Sequence, residues 1–155
     1  MDLSGLKWPL IIVIVCGLGW LLSSGGVAWM ESNFTKSTPG ADVERDKLDE
    51  AGLSRLATYV LYLWKYERAK GLMNEALDWY GENGANFWFN KYRISTCDER
   101  LGNWQEAADE LQELIDNNAS AKDDRIPEND NLSLKLAKLR EVHELAAPGG
   151  APATN

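Results

Sequence analysis

The chain has 155 residues, 45% of them hydrophobic and 26% charged, with a formal net charge of −8. That length holds one compact domain and excludes a multidomain enzyme. The acid excess argues against nucleic acid as a partner, the aromatic content (seven Trp, five Tyr, three Phe) excludes a disordered chain, and one His with two Cys excludes most metal sites built on those ligands.

After a short N-terminal tail, residues 1–7, the stretch Trp8 to Met30 reads WPLIIVIVCGLGWLLSSGGVAWM without a charge. One helix of that length would run about 34 Å, enough to cross a hydrocarbon core of about 30 Å. Trp8 and Trp29 bracket it, and indoles favour the two membrane interfaces. Residues 8–30 are therefore expected to form a single-pass transmembrane helix in contact with lipid. The alternative is a signal peptide cleaved after Ala28, which would release a secreted helical binding protein. Gly19 and Ser23 stand four apart, a spacing of small residues that would let a partner helix approach. Lys7 precedes the span while Lys36 and Arg45 follow it, so charge sets orientation only weakly. The short N-terminal tail favours the N-terminus inside and the C-terminal domain outside the cytoplasm, with a bacterial inner membrane as the expected location.

Residues 31–42 are polar and carry Pro39-Gly40, the composition of a linker. From residue 43 to residue 147 the pattern is helical, with Pro only at position 127. The end of the chain, 148–155, is rich in Pro and Gly and reads as a disordered tail.

Within the helical region YERAKGLMNEAL (Tyr66–Leu77) lies over WQEAADELQELI (Trp104–Ile115) at an offset of 38 residues. Tyr66 meets Trp104, Ala69 meets Ala107, Met73 meets Leu111 and Ala76 meets Leu114. Extended backward, the offset implies two helical pairs, Val43–Trp64 with Tyr66–Gly81 and Phe87–Leu101 with Trp104–Asn117. Gly102 suits the left-handed residue that ends a helix, and the alanines let the helices of each pair lie close. A last helix over Asn131–Ala147 places Leu132, Leu136, Leu139, Val142 and Leu145 on one face and would cover the open end of the stack.

The aromatic, Ala, large apolar and small or apolar spacing resembles the tetratricopeptide repeat over roughly Glu50–Ala121. It departs from that pattern in the offset, 38 rather than the family's 34, in Trp64 where Gly is usual, and in the missing closing Pro. Together with the expected transmembrane helix, the resemblance implies an all-α chain: that helix followed by a short solenoid of two hairpin units plus a capping helix. It also implies a groove lined by the first helix of each pair. Arg55, Thr58 and Tyr62 would face it from the first unit, and Phe89, Tyr92 and Thr96 from the second.

Two surfaces thus compete for a protein partner. One is the groove. The other is acidic: Asp98 to Asp130 holds eleven acidic and three basic residues, Asp109, Glu113, Asp123 and Asp124 among them. His143 has no nucleophile near it in sequence and reads as a surface residue, and Cys97 reads as a small buried apolar group. No catalytic constellation, cofactor loop or metal-ligand spacing occurs. The expectation is a membrane-tethered adaptor or accessory subunit serving an integral membrane complex. A chaperone-like factor for translocating or nascent chains is the runner-up.

Overall fold

The structure, a computed structural model, describes residues 7–145. The expected N-terminal tail except Lys7, residues 146–147 and the expected disordered tail 148–155 lie outside the described residues. The fold is all-α, and no strand occurs among the described residues.

The uncharged run does not form one helix. It forms α1 (Lys7–Leu22) and α2 (Ser24–Glu31), bent by 71°, and over the described residues neither alone is long and apolar enough to cross a membrane. The cause is local. Ser23, Ser24, Gly25 and Gly26 are weak helix formers in series. Ser23 takes an extended conformation and its hydroxyl accepts from the Gly26 N–H, so it caps α2 rather than continuing α1. Gly26 lies under the Trp20 carbonyl and Leu21, where no side chain fits. α1 buries none of its residues, whereas α2 buries Val27 in the core.

Residues 32–42 are not a free linker. Phe34 packs its ring against Gly52, whose lack of a side chain makes room for it. The Ser37 hydroxyl bonds Asp49, and Arg45 donates to Asp49 and to the Asn33 carbonyl, each at 2.9 Å. Glu31 pairs with Arg68.

α3 (Val43–Tyr62) starts at Asp42, whose carboxylate accepts from the Glu44 and Arg45 N–H groups. It is followed by α4 (Tyr66–Tyr80), a 3-10 turn (Gly81–Asn83), α5 (Phe87–Leu101), α6 (Trp104–Asp116), the single-turn α7 (Ala119–Lys122) and α8 (Asn129–His143). α3 with α4 and α5 with α6 form two helical hairpins. Their turns are conformational copies 38 residues apart. Trp64 and Gly102 both have left-handed φ, +55° and +83°. Both turns close with the same backbone bond, Lys65 N–H to Val60 O at 3.3 Å and Asn103 N–H to Asp98 O at 2.9 Å.

Two apolar clusters hold the body. The first joins α2, α3 and α4 with Ile94 and Cys97 of α5. The second joins α6, α7, Ile126 and α8, with Trp88, Phe89 and Tyr92 of α5 against it. α5 therefore serves both. Ala107 and Leu111, the seam residues of the second pair, are fully buried. The last helix begins at Asn129 and ends at His143, where Glu144 takes a left-handed φ. His143 is not a free surface residue: its ring stacks on Trp104 at 3.9 Å and 11°.

Candidate partner-binding groove

Along the inner face of α3 every fourth residue meets α5 through polar groups. The buried Glu50 carboxylate accepts from the Asn86 N–H at 3.0 Å and from its side-chain amide at 2.8 Å, capping the start of α5. One turn on, the Ser54 hydroxyl donates to Asn90 Oδ1 at 2.6 Å. One turn further, Arg93 donates to Thr58 Oγ1 at 2.9 Å and to the Ser54 carbonyl at 3.3 Å. This polar ladder fixes the register of the two hairpins.

At its mouth is a concavity of about 220 Å³ lined by Ser54, Arg55, Thr58, Phe89, Arg93 and Arg125, with Ala51 and Asn86 at its edges. Phe89 is flanked by two guanidiniums, Arg93 at 5.2 Å and Arg125 at 4.3 Å from its ring centre. Arg93 is 8% exposed and has no acidic partner within salt-bridge distance among the described residues. Burial pulls its pKa down, and Arg125 adds to the effect. Arg125 is held by both oxygens of Asp123, and that pairing raises the Arg125 pKa and lowers that of Asp123. The site is thus an aromatic floor under three arginines, a setting suited to a carboxylate beside an apolar side chain.

Of the expected groove residues, the structure brings Arg55, Thr58 and Phe89 together. Tyr62 lies outside it and is 78% exposed. Tyr92 is half-buried under Lys135, against the second cluster. Thr96 donates to the Tyr92 carbonyl and does not line the concavity. Sequence reading missed Arg93 and Arg125. Arg93 follows Phe89 by four residues and shares its helix face, a signal present in the sequence. Arg125 is delivered by the loop after α7, for which no periodicity speaks.

The expected acidic surface is partly consumed within the fold. Glu113 binds Lys91 at 2.6 Å and Asp123 clamps Arg125, while Asp109 and Asp124 remain exposed. The expected Gly19–Ser23 packing face does not exist as one face, because Ser23 is the cap of α2 and lies beyond the end of α1. Cys97 is buried, and burial pushes its thiol up to about 11.

No family model matches the chain, and neither a curated protein nor a solved structure is significantly similar to it.

Proposed function

We propose that the chain is a membrane-anchored adaptor or accessory subunit, built like a short tetratricopeptide-type solenoid, that holds a protein partner in the α3–α5 groove. The observation that carries this reading is α1: every residue from Trp8 to Leu22 is uncharged, yet none is buried in the fold. Such a helix is stable only where lipid or another apolar surface covers it. Val27 supports an uncleaved anchor over a signal peptide, since cleavage after Ala28 would remove a residue packed in the core. The anchor confines the groove to two dimensions and raises its effective concentration toward a membrane partner. An integral membrane complex is the client class, with the domain outside the cytoplasm of a bacterial cell.

Photo-crosslinking in native membranes tests the docking surface. A crosslinker replacing Arg55 should give a discrete adduct, and one replacing Asp109 should not. Phe89→Ala should weaken the adduct, since truncating a buried aromatic anchor costs about 1–2 kcal/mol or more of binding. An adduct from position 109 alone would move the partner to the acidic face.

A further inference from the structure

Trp64 is the residue of the body whose conformation and exposure the fold explains least. Its turn copies the one at Gly102, where glycine takes the left-handed φ without strain. The first turn keeps the largest side chain at that place. Left-handed φ is costly for a non-glycine residue, and such strain points toward function. The indole gains little from the core, being 78% exposed, and Tyr62 beside it is equally so.

The turn has a definite neighbour. Lys65 Nζ donates to the Leu22 carbonyl at 2.8 Å, and the Tyr59 hydroxyl donates to the Leu21 carbonyl at 3.3 Å. Both bonds satisfy open carbonyls at the end of α1. The α3–α4 turn is therefore fastened to the C-terminal end of α1, a helix that buries none of its residues. Its 16 described residues span about 24 Å, against a hydrocarbon core of about 30 Å. The 71° bend at Ser23 prevents α2 from extending it along the same axis. With α1 embedded, its C-terminal end is therefore where the span meets the membrane interface, the zone that amphipathic side chains anchor. Trp20, Leu22, Tyr62 and Trp64 are all exposed in this region, and Lys65 is the neighbouring cation.

We propose that the α3–α4 turn is a second membrane contact, with Trp64 and Tyr62 seated in the lipid interface at the C-terminal end of α1. Indole and phenol rings partition to that zone because one edge is apolar and the other bonds water. The seat fixes the height and tilt of the groove above the bilayer. The proposal rests on α1 being embedded in lipid.

Depth-resolved fluorescence quenching on the full chain separates the two ideas. A thiol-reactive fluorophore attached in detergent reaches exposed Cys16 on α1 and spares buried Cys97. The Cys16→Ser background then carries Trp64→Cys, or Leu134→Cys on α8 as a distant exposed control. Each labelled protein is reconstituted in vesicles of phosphatidylcholine and phosphatidylglycerol containing nitroxide lipids, spin-labelled near the headgroup or near the chain end. Position 16 should be quenched most by the chain-end label. Position 64 should be quenched severalfold more by the headgroup-proximal label than by the chain-end label, and should resist aqueous iodide. Position 134 should respond only to iodide. Tyr62→Cys in the same background, which leaves Trp64 in place, should repeat the pattern of position 64. If positions 62 and 64 behave like 134 while 16 is quenched, the anchor stands and the seat does not; the turn then faces a protein partner. If position 16 also escapes the lipid quenchers, both ideas fall.

Discussion

Trp64 and Gly102 occupy one place in two copies of a turn, and the pair gives a stability test that needs no partner. Gly102→Ala adds a side chain that meets nothing closer than Trp104 at 3.9 Å, so its cost is the left-handed φ alone. It should destabilise by about 1 kcal/mol, a few degrees of melting temperature in detergent. Trp64→Gly should move the melting temperature the other way by a smaller amount, since glycine's freedom in the unfolded chain offsets part of the relief. A lower melting temperature for Trp64→Gly would mean that the exposed indole is held by contacts that outweigh the strain, whether within the fold or with the detergent interface. The sequence marked Trp64 as a departure from its repeat. It carried no sign that the backbone there keeps the same left-handed turn, because φ is imposed by the two helices meeting on either side.

At the scale of the element, α4, α5 and α6 were legible almost to the residue. Tyr66, Phe87 and Trp104 open them as expected, and Gly102 ends α5. Strong periodicity in α6, with Ala107, Leu111 and Leu114 buried on one face, explains that success. Leu111→Ala should therefore cost about 2–5 kcal/mol. Ala107→Trp should cost about 1–3 kcal/mol by overpacking. Chemical denaturation of the full chain in detergent measures both, and unchanged midpoints would mean that the α5–α6 seam is not where the structure puts it. What was illegible has physical reasons. Hydropathy is blind to the break at Ser23, because serines and glycines raise no charge signal while weakening the helix. Residues 31–42 look like a linker by composition, yet Phe34, Ser37 and Arg45 tie them to α3 through contacts with Gly52, Asp49 and Asn33. Arg125 reaches Phe89 only because α7 and the loop after it fold back on α5.

For the whole molecule, net charge was a poor guide to the site. The excess of acid lies in the second half of the chain, yet the concavity is ringed by Arg55, Arg93 and Arg125. Local fields at a groove are set by the few groups that line it, and screening removes most of the rest within about 10 Å at 0.1 M salt. The membrane reading makes a further demand on the intact protein. After alkaline carbonate extraction it should stay in the membrane pellet, with Met1 present by mass spectrometry. Recovery in the supernatant with an N-terminus at Trp29 would support cleavage instead, and would also demand that the core close without Val27.

The contact between the two hairpins differs from one side to the other. On the groove side it is the ladder of Glu50, Ser54 and Thr58 with Asn86, Asn90 and Arg93; on the opposite side Leu72, Met73 and Ala76 of α4 share an apolar cluster with Ile94 and Cys97. Water can stand in for the first set of contacts but not for the second. The molecule is therefore built like a book, with the two hairpins as its covers, the packing of α4 on α5 as the spine and α3 at the opening edge. A ligand wedging in beside Phe89 can widen the opening by exchanging polar bonds for its own, without disturbing the spine. Spin-label distances would register this as a lengthening from α3 to α5 on binding, with the α4 to α5 distance held constant.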